Sequence, residues 1–119
     1  MVSRGGYGAD LSDAEVDRIF RALADSTRRD IVRRTLTEEA SVSELAERYE
    51  MSFAAVRKHV NVLEEAGLVS NNRIGRERRI RGNPEAIRTA QHLLAGFEQV
   101  WRGRIDRLDA VLNEVGTPE

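Results

Sequence analysis

The feature that most constrains this chain is a pair of helical patterns separated by only two residues, Met51 and Ser52. On both sides of this break, apolar residues recur at intervals of three and four, which is the spacing of one buried helix face. The residues with this spacing are Leu45, Ala46, Tyr49, Val56, Val60 and Leu63. Ser52 is also a favourable N-cap for the second helix. A connection this tight between two short amphipathic helices predicts a helix-turn-helix motif.

Two further helices are predicted before this motif. Ser12 and Glu15 form a capping-box pattern, in which each side chain bonds a free backbone N–H at a helix N-terminus. Apolar residues then follow at helical spacing up to Leu23. The pattern is interrupted at Asp25, Ser26 and Thr27, and this stretch provides the N-cap of a second helix.

A β-hairpin is predicted after the motif. Gly67 suits the left-handed conformation that ends a helix. LVSNN (68–72) and ERRIR (77–81) have β character, and Gly75 lies in the loop between them. Ile74 is expected to point inward. The spacing therefore favours a short two-stranded hairpin.

The last predicted helix is long for the size of the chain. It begins at Asn83 and Pro84 as N-cap and first helical residue, and its pattern continues to about Asn113. At 1.5 Å per residue it measures roughly 45 Å, whereas a small domain is about 30 Å across. Its apolar stripe comprises Leu94, Phe97, Trp101, Ile105 and Leu108. One domain cannot cover a stripe of this length, so we predict a homodimer. The first helix is expected to join the interface with Val16, Ile19 and Phe20.

The order of these elements is that of a winged helix-turn-helix: mainly α, with five helices and a small β-hairpin wing. Residues 11–115 are expected to form a single domain that ends in a dimerisation helix at about 84–113. The glycine-containing segment 1–10 is predicted to be a flexible lead. The first and last helices form the dimer in this prediction.

Composition argues against several classes of protein. The 119 residues include no cysteine, which removes disulfides, thiolate metal sites and cysteine nucleophiles. No nucleophile stands near a plausible base, so we expect no enzymatic activity and no cofactor. No run approaches the roughly 18 apolar residues of a membrane span. The N-terminus lacks a signal-peptide core, which predicts a cytoplasmic protein with no membrane partner.

Charge is unevenly distributed along the chain. The net charge of the whole chain is −1, but residues 57–81 contain seven arginines and lysines against three glutamates, a net charge of +4. A basic segment on an otherwise acidic chain is typical of a surface that contacts phosphates. A solvated charged face is the alternative interpretation.

The second helix of the motif begins with the residues that a groove-reading helix needs. Such a helix enters the major groove with its first turns against the bases. Small side chains at Ala54 and Ala55 let the backbone approach closely, and Phe53 can contact a thymine methyl group. Arg57 and Lys58 can reach a guanine edge or a phosphate. Core packing of Phe53 and a purely helix-forming role of the alanines are the alternatives.

Further DNA contacts are predicted beside this helix and on the wing. His59 is expected to donate a hydrogen bond to a phosphate, with a structural histidine as the alternative. Arg73, Arg76 and Arg78 lie near the hairpin tip, where they are expected to follow the sugar-phosphate backbone. A solvated loop is the alternative for these arginines.

Three stretches resemble the ArsR family of bacterial winged-helix repressors: IFRALADSTRRDIVRRTL, SVSELAERYEMSFAAVRKHVNVLEEAGLVSNNRIGRERRI and NPEAIRTAQHLLAGFEQVWRGRIDRLDAVL. They lie between Arg18 and about Leu112 in the order of the family. The resemblance implies a homodimeric transcription factor that binds a palindromic operator in double-stranded DNA, commonly in its own promoter. Carried over position by position, it implies base readout at Ser52, Phe53, Ala54, Ala55, Arg57 and Lys58, and wing contacts near Arg73, Arg76 and Arg78.

The chain departs from the metal-sensing members of that family. They carry cysteines in the helix that corresponds to SVSELAERYE, and this helix has none. On the last helix His92 is alone, with Asp106 and Asp109 more than three turns away. The match is to the metal-independent branch, which implies a repressor of its own or a neighbouring operon. A winged-helix module that binds an acidic protein is the alternative function.

Overall fold

The computed structural model describes residues 11–116, so the predicted lead at residues 1–10 lies outside the described residues. The elements follow in this order: α1 (Asp13–Ala22), α2 (Ser26–Thr37), β1 (Ala40–Ser41), α3 (Val42–Ala46), α4 (Phe53–Glu65), β2 (Val69–Ile74), β3 (Glu77–Gly82) and α5 (Pro84–Gly116). This order confirms the predicted winged helix-turn-helix with five helices. None of the helices in the described range combines the length and hydropathy needed to cross a bilayer.

Helix starts follow the predicted caps. The Ser12 hydroxyl accepts a hydrogen bond from the Glu15 N–H at 3.2 Å, and the Ser12 N–H donates to the Glu15 carboxylate at 2.9 Å. The carboxylate of Asp25 and the hydroxyl of Ser52 each accept a hydrogen bond from the N–H three residues further along. These N–H groups have no partner within their own helix, so the caps fix where α1, α2 and α4 begin.

The core forms where α4 packs against the other helices and the sheet. Val56, Val60 and Leu63 of α4 are at most 1% exposed, as their spacing predicted. Leu45 of α3 and Ile80 of β3 are buried in the same cluster. Because one face of α4 is fully occupied by this core, its opposite face must meet solvent or a ligand.

The sheet has the antiparallel order β1-β3-β2. Gly75 has a φ of +64° in the hairpin turn, a conformation that residues with a Cβ rarely adopt. Strands alternate their side chains between two faces. Asn71 lies opposite the buried Ile80 and so shares the core-side face, whereas Asn72 lies opposite Arg79 on the outer face. The sequence did not predict β1, which has two residues.

Ile74 does not point inward as predicted, because it is 61% exposed. It pairs with Glu77 at the end of the ladder, and the two-residue period places both residues on the outer face. Ile80 supplies the buried isoleucine of the hairpin instead. α3 also ends earlier than predicted, at Ala46, and residues 47–52 form the connection to α4.

α5 is a helix of 33 residues that packs on the body only near its beginning. Ala86, Ala90 and Leu93 are buried there. Between Leu94 and Leu112 its large apolar side chains are at least 36% exposed: Leu94, Phe97, Val100, Trp101, Ile105, Leu108, Val111 and Leu112. The second half of the helix therefore presents an apolar face that the described part of the protomer does not cover.

Candidate nucleic-acid interface

The exposed face of α4 presents small, cationic and amide side chains. Ala54, Arg57, Lys58 and Asn61 are exposed, opposite the buried face of the helix. Phe53 is 48% exposed, so its ring lies at the surface rather than in the core. The first turn therefore has no bulky side chain other than this ring, and the cations follow one turn later. A helix with this surface can lie against the base edges in the major groove of DNA.

The connection before α4 is tied to α2 by a polar network. The Tyr49 hydroxyl donates to the Asp30 carboxylate at 2.6 Å, and Arg34 Nε donates to the same carboxylate oxygen at 2.7 Å. These hydrogen bonds lower the pKa of Asp30, and burial raises the pKa of Tyr49 to about 12. Arg34 also lies 5.9 Å from the centroid of the Tyr49 ring. The network holds the start of α4 in place relative to the body.

The cations of the hairpin divide between its two faces. Arg79 and its outer-face neighbour Arg81 bind carboxylates of the body: Arg79 donates to Glu39 and Glu44, and Arg81 donates to Glu39 at 2.6 Å. The hydrogen bond from Arg81 is the largest cause of the lowered pKa of Glu39. These two arginines are therefore part of the fold, and the strand period explains why.

The other hairpin arginines remain free for a ligand. Arg76 and Arg78 are exposed and have no ion pair or hydrogen bond within residues 11–116, and the same holds for Arg57 and Lys58 of α4. Arg73 makes only a local bond, from its Nε to the Gly75 carbonyl at 3.2 Å. The structure thus places the unpaired cations that were predicted for DNA on α4 and the hairpin.

His59 lies on the flank of α4 beside the junction of α1 and α2. Its Nδ1 is 3.4 Å from Nη1 of Arg28, whose other nitrogens donate to the carbonyls of Ala22 (2.7 Å) and Arg21 (3.0 Å). A guanidinium only donates hydrogen bonds, so Nδ1 is the acceptor of a hydrogen bond between these two groups. The half-buried ring therefore keeps one N–H donor that can face a ligand.

A cleft of about 250 Å³ separates α4 from the hairpin. Its polar lining consists of Arg57, Asn61, Glu64, Asn71 and Arg78. The Oδ1 atom of Asn71 is buried here without a hydrogen-bond partner. Neither asparagine was predicted from the sequence as a site residue. Helical spacing from Arg57 could have identified Asn61, but Asn71 depends on the strand register.

Metal ligands do not converge in the part of the chain that the structure describes. Between residues 11 and 116, no three His, Cys, Asp or Glu side chains are placed so that they could hold a metal ion.

The predicted dimer residues fall into two groups. Ile19 is 4% exposed in the core of the protomer, and Val16 and Phe20 are partly buried, whereas the residues of α5 are open to solvent.

Comparison with known proteins agrees with this architecture. The sequence pattern of a family described as a helix-turn-helix domain matches residues 23–70. The HTH-type transcriptional regulator YuzN of Bacillus subtilis is 40% identical over 88 residues, which are 68% of this chain and 92% of YuzN. The transcriptional repressor SdpR of the same organism is 28% identical over 60 residues, 50% of this chain and 67% of SdpR.

A crystal structure of an ArsR family transcriptional regulator superimposes with a TM-score of 0.72 at 32% identity, covering 77% of this chain and 95% of the other. The fold, the exposed face of α4 and these relatives define a transcriptional regulator with a winged helix-turn-helix DNA-binding fold. The chain belongs to the ArsR family.

Proposed function

We propose that the chain is a cytoplasmic homodimeric repressor that binds a palindromic operator sequence-specifically and acts without a metal ion. α4 enters the major groove, and the hairpin follows the adjacent backbone. Two copies related by a twofold axis present two α4 helices, so the half-sites are centred about 10 base pairs apart or at a multiple of that distance. SdpR, a relative, is a transcriptional repressor, which supports repression as the mode of regulation. The target in this proposal is its own or a neighbouring operon.

One observation carries this proposal: the cations of the candidate interface are left unpaired, while neighbouring arginines are engaged in the fold. Arg79 and Arg81 bind Glu39, but Arg57, Lys58 and Arg76 have no such partner within the described residues. Unpaired cations on one surface of an acidic chain favour binding of a polyanion. These cations lie beside a first helical turn whose side chains are small and exposed. This placement favours duplex DNA as the polyanion.

The residues of α4 take different roles in this proposal. Ser52, Ala54 and Ala55 form the turn that lies nearest the base edges, and Phe53 contacts a thymine methyl group. Lys58 reaches a base edge from the exposed face. His59 donates its Nε2–H to a phosphate, while its Nδ1 faces Arg28.

The exposed face of α5 supports the homodimer. Phe97 and Trp101 are 63% and 57% exposed, and soluble proteins rarely leave a long contiguous apolar face in water. A second copy presents the same face about a twofold axis, so one interface covers both. Val16 and Phe20 of α1 add to the rim, and Ile19 supports them from within the protomer core.

Titration with salt separates base reading from phosphate binding. Lys58→Ala should weaken operator binding by about 1–3 kcal/mol and relax the base preference at one position in each half-site. Arg76→Ala should weaken operator and scrambled duplexes equally, and should lower the salt slope by about 1 for each phosphate that the arginine no longer neutralises. The measurement is the dissociation constant on both duplexes over a salt series.

Arg18→Ala removes an exposed cation from α1 and serves as the matched control, with no change expected on either duplex. If Lys58→Ala and Arg76→Ala both leave operator and scrambled affinities unchanged, the cations form only a solvated face. The acidic-protein partner would then become the better explanation of the basic surface.

A further inference from the structure

The cleft between α4 and the hairpin is lined by cations on both walls. Arg57, Asn61 and Glu64 follow at intervals of four and three, so they lie along one face of α4. Arg78 lines the opposite wall on β3. The two arginines have no carboxylate partner within the described residues, although Glu64 lies two turns further along the same helix face. Arg57 therefore lies nearer the start of α4 than Glu64 does, and the two arginines carry the positive charge of the cleft.

Strand register explains how Asn71 comes to face the same space. Asn71 pairs with Ile80 and Arg73 pairs with Arg78, so Asn71 and Arg78 are diagonal neighbours on the core-side face. Diagonal neighbours in an antiparallel pair are about 7–8 Å apart, which is within reach of long side chains. The buried Oδ1 of Asn71 has no donor, and the Arg78 guanidinium is a donor without an acceptor.

Duplex geometry indicates what would enter this cleft. The major groove, which would hold α4, is separated from the adjacent minor groove by one phosphodiester strand. A protein with a helix in one groove and a hairpin tip beyond it must straddle that strand. The cleft lies between these two elements, and both Arg57 and Arg78 line it.

We infer that Arg57 and Arg78 both bind the same backbone phosphate of the bound duplex, and that Asn71 is a positioning residue for Arg78. This inference rests on the proposed function. A guanidinium has five donors in a planar fork, so Arg78 can bond the Asn71 oxygen with one edge and a phosphate with another. Glu64 repels the anion and so favours its position beside the two arginines. Arg57 thus fixes register, and base reading falls to Lys58 and the first turn of α4.

The test replaces one phosphate at a time in the operator with a neutral methylphosphonate. With the wild-type chain, one position in each half-site should lower affinity on the order of 10-fold, because the charge-assisted hydrogen bonds to that phosphate are removed. The Arg57→Gln/Arg78→Gln variant should bind the unmodified operator more weakly. It should show no further loss at that position, while sensitivity at the other phosphates is retained.

A variant of Asn71 separates positioning from folding. Asn71→Leu removes a buried acceptor that has no partner, so the melting temperature should be unchanged or higher. Operator affinity should nevertheless fall by roughly 5-fold. The methylphosphonate effect should be smaller at the phosphate that Arg57 and Arg78 bind. Asn72→Leu changes the neighbouring residue on the outer face and is the matched control, for which neither quantity should change.

Two results would overturn the inference in distinguishable ways. If the double variant keeps the wild-type methylphosphonate profile at every position, the phosphate is not in this cleft, and the proposed function stands. If the wild-type chain binds no duplex in preference to scrambled DNA, the proposed function fails. The inferred phosphate binding by Arg57 and Arg78 then fails with it.

Discussion

Ala54→Glu is expected to weaken operator binding by about 100-fold or more without unfolding the protein. Ala54 is exposed in the first turn of α4, so a larger side chain displaces nothing in the protomer core. In the complex, however, the new carboxylate would enter the groove unpaired and close to phosphates, which costs about 3 kcal/mol or more. The measurement is operator affinity at fixed salt, together with the melting temperature.

The chain offers a matched control for this substitution. Ala14 is also exposed and is the second helical residue of α1, as Ala54 is of α4. An acidic residue in a first turn is favourable to the helix dipole, so both variants should keep their stability. Ala14→Glu should bind the operator normally. Equal affinity of the Ala54→Glu variant and the wild type would show that the first turn of α4 does not enter a groove.

The second large effect is expected from Leu94→Glu combined with Ile105→Glu, which should convert the homodimer to a monomer. These residues are 53% and 36% exposed in the protomer and lie on the apolar stripe of α5. Burying four unpaired carboxylates in the interface of a dimer costs several kcal/mol. Sedimentation at micromolar concentration should therefore show the mass of one chain, and operator affinity should fall because the half-sites are no longer bound together.

Gln99→Glu combined with Ala110→Glu tests whether added charge alone dissociates the dimer. Both residues are exposed, and they are 11 positions apart, as Leu94 and Ile105 are. Because each residue turns the helix by about 100°, they lie on the side of α5 away from the apolar stripe. This control variant should remain a dimer. A dimer of the Leu94→Glu/Ile105→Glu variant at micromolar concentration would contradict the proposed interface.

Local chemistry made much of the fold predictable from the sequence. Ser12, Asp25 and Ser52 cap helices with their own side chains, and Gly67 takes the positive φ of +77° that ends α4. Such signals act over a few residues, so they can be read without a structure. β1 could not be predicted, because its two residues become a strand only by pairing with β3.

The positions of the site's side chains could be predicted where they follow from the periodicity of one helix. They could not be predicted where they depend on contacts between several elements. The exposed face of α4 follows from the spacing of its buried residues. The separation of Arg78 from Arg79, by contrast, depends on strand register and on carboxylates some 40 residues away in sequence. The contact of His59 with Arg28 likewise joins α4 to a residue 31 positions earlier. Ile74 was assigned to the wrong face because the register was unknown.

Selection of duplexes from a random-sequence pool by the full chain tests most directly whether α4 and the hairpin form a sequence-specific DNA reader. The retained duplexes should share an inverted repeat whose half-sites are centred about 10 base pairs apart or at a multiple of that distance. The Ala54→Glu variant should enrich no such repeat. Retained duplexes with the same sequence distribution as the starting pool would contradict sequence-specific binding by α4 and the hairpin.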